Sequence, residues 1–267
     1  MSSVDQVFDW ARDVLKAIYE CKRVEKSGCS LQRFEKRVMK VEKLLSVGYD
    51  FNSAVREWLE AQKGVIRSRR EKVLDEFAVE LERLLKDLGF SLRGQYPLLR
   101  AGLFYIEVFP DEFYCRVWYG PKQEFIGRVE LDSKRVFKLI RDTWAYLEKR
   151  MVSDEEFVSK LRVAYDRVAN GGRKAPIIRV LSEMAWLLQD KSFLLNPKKE
   201  NYKSYDRVKF SFDLFRLGSK PVNGFRTVLI TATRSQAKRR RSCLWVPRDL
   251  NGNGSVYAFL RVEEVRG

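Results

Sequence analysis

The apolar residues of this chain change their period at Leu103, and that change decides the fold class. Before it the spacing is three and four. Val4, Val7, Phe8, Ala11, Val14, Leu15 and Ile18 form one stripe, and Leu31, Phe34, Val38, Val41 and Leu45 a second. Such spacing gives a helix one buried face. Ser27-Gly28 with Ser30, and Gly48 with Asn52 or Ser53, mark the turns. A third stripe runs through Val55, Leu59, Ile66, Val73, Phe77, Leu81, Leu84 and Leu88, with an interruption expected near Gly64 and the Arg67-Ser68-Arg69-Arg70 cluster. From Leu103 apolar residues alternate, which predicts strands over 103–109, 113–119 and 125–131, separated by Pro110-Asp111-Glu112 and by Gly120-Pro121-Lys122-Gln123.

Helices are expected next over 133–150, over 153–169 with Ser153 and Glu156 as a capping box, and over 176–189 with a proline at its start. In the tail, Val208, Phe210, Phe212 and Leu214 alternate and predict a strand. Further strands are expected over 226–233, 244–247 and 255–262, the last two joined by the turn Asn251-Gly252-Asn253-Gly254. The expected class is therefore α+β. A helical hairpin or bundle spans 1–88, and a mixed body spans 89–267 with an antiparallel meander, three helices and a C-terminal antiparallel sheet.

Charge is distributed unevenly over this plan. Residues 191–267 hold seventeen Lys and Arg against six Asp and Glu, which is eleven of the chain's net +16. A local excess of this kind calls for a polyanion. Its densest part is Arg234-Ser235-Gln236-Ala237-Lys238-Arg239-Arg240-Arg241, between two apolar strands. Closing a hairpin does not require four consecutive cations, so Arg234, Lys238, Arg239, Arg240 and Arg241 are read as a flexible basic loop that contacts phosphates. Lys198, Lys199, Lys203, Arg207 and Lys209 precede it and Arg248 follows, and together they are expected to line one groove. The expected partner is DNA or RNA, bound without regard to sequence, by an accessory subunit of a larger nucleoprotein assembly. The near-balanced helices of 1–88 would meet a protein partner or a second copy. A solvated run lying on an acidic protein is the competing reading.

The meander offers a second binding surface. Tyr105, Tyr114, Arg116, Trp118 and Arg128 would share one face, with Phe104, Ile106, Val108, Phe113, Cys115 and Val117 on the other. Aromatics among arginines suit base stacking. A sheet covered on both sides gives the same pattern, and that packing reading is preferred.

Routes to catalysis are few, because the chain has no histidine. Ser-His-Asp triads, Cys-His pairs and His-ligated zinc are excluded. The remaining enzyme reading is a Mg²⁺-dependent nuclease using Asp111, Asp132 and Lys134, whose spacing resembles the degenerate PD-(D/E)xK pattern. Turn chemistry at Pro110-Asp111 and helix capping at Asp132 account for the same residues. A set of Asp213, Gln236 and Lys238 is weaker, since glutamine brings no charge to a metal. Asn170-Gly171-Gly172-Arg173-Lys174 lacks the residue order of a phosphate-binding loop, and no cofactor motif is present. Cys21, Cys29, Cys115 and Cys243 are expected as free thiols. No apolar run has the length of a membrane span and Met1-Ser2-Ser3-Val4-Asp5 is acidic, so a soluble cytoplasmic protein is expected. Seven Asn and seven Gln against 52 Lys and Arg lean towards a thermophilic source.

Overall fold

A computed structural model describes residues 3–26, 31–46 and 53–265, with the side chains of 3–8 and 53–58 outside that description. The expected turns at 27–30 and 48–52 lie outside the described residues. The chain is α+β, with nine α-helices among the described residues and two antiparallel sheets. It divides into two compact units, residues 1–80 with 109–113, and residues 81–108 with 114–267.

Helices α1 (Ser3–Lys26), α2 (Leu31–Leu45) and α3 (Ser53–Lys86) supply the first unit. Its core is Ala17 and Cys21 of α1, Phe34, Val38 and Val41 of α2, and Leu59 and Ile66 of α3. The α2 seam is the expected one. On α1 the buried seam is Val14, Ala17 and Cys21, whereas Leu15 is exposed. The expected stripe was too wide, because a helix packed along one seam buries residues three or four apart and leaves the next position outside. Nor does α3 break at Gly64. One glycine costs a helix only about 1 kcal/mol, and buried Leu59 and Ile66 flank it. Arg70 of the basic cluster is also used within this unit, pairing with Glu35 (2.5 Å) and Asp111 (2.6 Å).

The second unit opens with a five-stranded meander, β1 (Leu92–Gln95), β2 (Leu98–Ala101), β3 (Phe104–Phe109), β4 (Tyr114–Tyr119) and β5 (Glu124–Glu130), in sequential order. Strands β3 to β5 fall within a residue of expectation. The hairpin β1–β2 was not expected, since four-residue strands carrying Arg93 and Gly94 show no clear alternation. Helices α4 (Ser133–Glu148), α5 (Asp154–Ala169) and α6 (Ile177–Leu187) follow, with Asp132 and Ser153 capping the first two through their side chains. The two-residue β6 (Ala175–Pro176) pairs with the long β9 (Gly254–Glu264), which also carries β7 (Phe225–Thr231) and β8 (Leu244–Pro247). Short α7 (Lys191–Leu195) lies between α6 and α8.

The segment expected as a strand at Val208–Leu214 is the helix α8 (Arg207–Leu217), capped by Asp206. Every residue from Val208 to Leu214 is buried. Alternation arose because the helix is enclosed on all sides, with the polar positions between the apolar ones bonded internally. Lys209 Nζ donates to the carbonyls of Leu147 (2.6 Å) and Lys149 (2.7 Å), which satisfies carbonyls at the end of α4. Asp213 accepts from Tyr205 (3.0 Å) and pairs with Lys209 (3.4 Å) and Arg216 (3.0 Å). Ser211 donates to the carbonyl of Trp245 (2.6 Å), whose ring packs edge-on against Tyr119. A Cβ at Gly120 or Gly254 would come within 2.6 Å of the Trp245 ring, so both positions require glycine.

Two measurements test this packing. Lys209→Met leaves Asp213 and two carbonyls without their ammonium, and chemical denaturation should show a loss of about 3–5 kcal/mol. The second concerns alkali. Burial pushes the Cys115 thiol up to about 12 and the Tyr146 phenol up to about 12. Both raise the folded state's hold on protons that the unfolded chain releases above pH about 9–10. Their contribution is therefore complete below pH 9 and lost as pH rises towards 12. Lys209, whose pKa is lowered by burial, acts in the opposite sense. Denaturation midpoints should be flat to pH 9 and then fall, with fully buried Cys115 alone contributing about 1.4 kcal/mol per pH unit. Cys115→Ala should flatten the first part of the fall.

Candidate nucleic-acid interface

The densest basic segment is folded, not loose. Thr233 and Gln236 form a capping box, Gln236 N–H donating to Thr233 Oγ1 and Thr233 N–H to Gln236 Oε1 (2.9 Å). That box closes the single turn α9 (Arg234–Ala237), and a 3₁₀ turn over Arg240–Ser242 follows directly. Arg239 N–H donates to the Gln236 carbonyl (2.8 Å), and Ser242 Oγ donates to the carbonyl of Arg239 (2.9 Å). From beneath, the Cys243 thiol donates to the same Gln236 carbonyl (3.3 Å).

Arg207, expected as a phosphate contact, is instead a strut for this segment. Its Nη2 donates to the carbonyls of Arg240 (3.0 Å) and Cys243 (2.5 Å), while Nε donates to Glu124 (2.7 Å). Lys209 is likewise unavailable, being fully buried. By contrast, the side chains of Arg234, Lys238, Arg239, Arg240 and Arg241 are exposed, and no described residue bonds or pairs with them. The segment is held through backbone groups and through Thr233, Gln236, Ser242, Cys243 and Arg207. Its cations take no part in holding it.

Lys198 and Lys199 are exposed and unpaired among the described residues, Lys203 pairs with Asp190 (2.6 Å), and the chain there is pinned to Gln189 by the Lys203 N–H (2.9 Å). None of the hydrogen bonds of 198–203 reaches 234–241. Arg248 is exposed just beyond β8. On the meander, Phe104, Ile106, Val108, Cys115 and Val117 are buried, and Arg128 lies 3.6 Å from the centroid of the Tyr114 ring. That stacking gives the arginine an intramolecular use.

The residues of the nuclease reading have structural work. Asp111 belongs to the first unit, paired with Arg70, and Asp132 to the second, accepting from Arg135 N–H as the cap of α4. In the weaker set, Asp213 is buried beside Lys209 and Arg216, and Gln236 is in its capping box. Asn170-Gly171-Gly172 is a helix end, Asn170 in the left-handed region at φ 44°. Among the described residues no group of three His, Cys, Asp or Glu is placed to hold a metal ion, and no helix is long and apolar enough to cross a membrane. Cys21, Cys115 and Cys243 are free and buried, and Cys29 lies outside the described residues.

Comparison with known proteins returned no matching family model, no matching curated protein and no matching solved structure.

The strut is open to test. Arg207→Ala frees the carbonyls of Arg240 and Cys243, so trypsin should cut within 238–241 several-fold faster than in the parent, with the global denaturation midpoint falling by only about 1–2 kcal/mol. Cleavage at the parent rate would remove Arg207 from this role.

Proposed function

We propose that this chain binds nucleic acid through its phosphates, without reading sequence, and serves inside the cell as an accessory subunit of a nucleoprotein assembly. The observation that carries the reading is the basic turn. Five cations sit unpaired among the described residues, on a segment whose geometry is fixed by other groups. Elsewhere in this chain Arg12, Arg150 and Arg167 are among the cations paired with carboxylates. Here the charge is left open, while the backbone that bears it is ordered before any ligand arrives. Prior ordering lowers the entropy cost of binding.

Each phosphate neutralised releases counterions, so affinity comes with a salt dependence of about 0.9 per contact on duplex DNA and about 0.7 on single strands. Arginines serve this well because they stay charged and offer two parallel N–H donors to a phosphate. In this mechanism Arg234, Lys238, Arg239, Arg240 and Arg241 hold the backbone and Lys198 and Lys199 form a second contact. The helical unit meets the partner protein, for which exposed Leu15 and Tyr19, one turn apart on α1, and Met39 on α2 supply apolar surface.

The test is a salt series of binding to single- and double-stranded DNA and RNA. The intact chain is compared with a variant carrying alanine at Lys238, Arg239, Arg240 and Arg241. The expected result is a steep loss of affinity with salt and a slope reduced by roughly three to four in the variant. Equal binding by both proteins would move the contact elsewhere. Binding by neither would favour an acidic protein partner.

A further inference from the structure

In the second unit a cleft of about 540 Å³ opens between the C-terminal end of α8 and the C-terminal sheet. That volume lies in the range of small-molecule sites, roughly 300–1,000 Å³. Its walls differ in character. Phe215 and Tyr257 belong to a mixed polar and apolar lining, to which Arg226 of β7, Arg261 of β9 and Arg248 beyond β8 also contribute. Arg226 and Arg261 both bind Glu263, at 2.9 and 2.7 Å, so one carboxylate answers two cations. No described residue pairs with the Arg248 side chain, and neighbouring Asp249 is occupied by the amides of Asn251 and Asn253. The cleft thus retains positive charge beside Phe215 and Tyr257.

Thr227 is the second, independent observation. It lines the cleft, is 8% exposed, and its buried Oγ1 has no hydrogen-bond partner. An unpaired buried hydroxyl costs about 1–3 kcal/mol. Valine would fill the same space without that cost. The fold leaves this oxygen without a partner, and rotation about Cα–Cβ to another of the three staggered positions is the motion by which a ligand in the cleft would supply one.

We infer that this cleft takes a single nucleotide, either free or at the end of a strand. The phosphate is held by Arg248 with Arg226 and Arg261, the flat base lies against Phe215 and Tyr257, and Thr227 hydrogen-bonds the sugar or base. For the strand end the inference rests on the nucleic-acid reading above. Arg248 lies seven residues beyond Arg241, a span of at most about 23 Å at roughly 3.3 Å per residue, so a strand of several nucleotides on the turn has its end within reach of the cleft.

The experiment is calorimetric titration of the full chain with 5′-AMP, 5′-UMP, adenosine and inorganic phosphate at low salt. One of the two nucleotides should bind at least about tenfold more tightly than adenosine or phosphate. Arg248→Ala should lose about tenfold of that affinity, a change of about 1.4 kcal/mol. Thr227→Val should weaken the nucleotide several-fold while the unliganded protein melts at the same temperature or higher, a pattern that a purely structural threonine does not give. Equal binding of nucleotide and inorganic phosphate would reduce the cleft to an ion site, and no heat with either nucleotide would overturn the inference. So would Thr227→Val that binds like the parent. Oligonucleotides with and without a 5′-phosphate separate the two sources. Preference for the phosphorylated strand, lost in Arg248→Ala, assigns the site to a strand end, and equal binding assigns it to the free nucleotide. The two readings fail separately. Nucleotide binding without oligonucleotide binding sinks the phosphate-contact reading alone, and the converse sinks the cleft alone.

Discussion

The ammonium of Lys209 sits where α4 ends and α8 begins, and the second unit is arranged around the need to keep it satisfied. Taking a charge out of water costs several kcal/mol unless oxygens surround it. Two carbonyls and the Asp213 carboxylate do so here. The carboxylate in turn requires Tyr205 and Arg216. Burial raises its pKa while Lys209 and Arg216 pull the other way. Two residues beyond Lys209, Ser211 ties α8 to Trp245, and that indole presses on glycines from the meander and from β9. A helix buried at every position from Val208 to Leu214 thereby joins both sheets. Arg207, the residue that braces the basic turn, is the first residue of this same helix.

What was legible in the sequence follows from how many sides of an element face the core. The α2 seam and the strands β3 to β5 have one buried face, or one face more buried than the other, so their period shows in the residue pattern. Helix α8 has no exposed face to set the phase, and Lys209, Ser211 and Asp213 imitate the polar side of a strand. The hairpin β1–β2 escaped because four residues are too few to establish a period. At the candidate site, the run of cations was plain. Its ordered backbone was not, although Thr233 and Gln236 stand three apart as a capping box requires. Arg207 was counted with the phosphate contacts because composition does not distinguish a cation that faces solvent from one that binds carbonyls. Arg226 and Arg261 drew no attention in isolation. Only strand pairing, which sets Arg226 opposite Glu263 and places Arg261 two residues before it, brings all three together.

The two basic features of the second unit differ in how their charge is managed. On the turn, cations are crowded and open to solvent, an arrangement suited to any extended polyanion and indifferent to its bases. In the cleft, charge is partly neutralised by Glu263 and stands beside Phe215 and Tyr257, an arrangement suited to a ligand with both an anion and a ring. If both proposals hold, affinity at the first falls with added salt and selectivity at the second depends on shape.

The way the turn is held has an evolutionary consequence. Thr233, Gln236, Cys243 and Arg207 answer to the fold, since each bonds the backbone of the segment or of its neighbour. Arg234 and Lys238 to Arg241 answer to nothing within the described protein. Selection on the first set acts through stability and is constant, whereas selection on the second acts only through what the surface touches. In descendants of this chain the scaffold residues should therefore stay fixed while the displayed ones drift with the partner, which makes the turn a place where a new specificity can arise without refolding the protein.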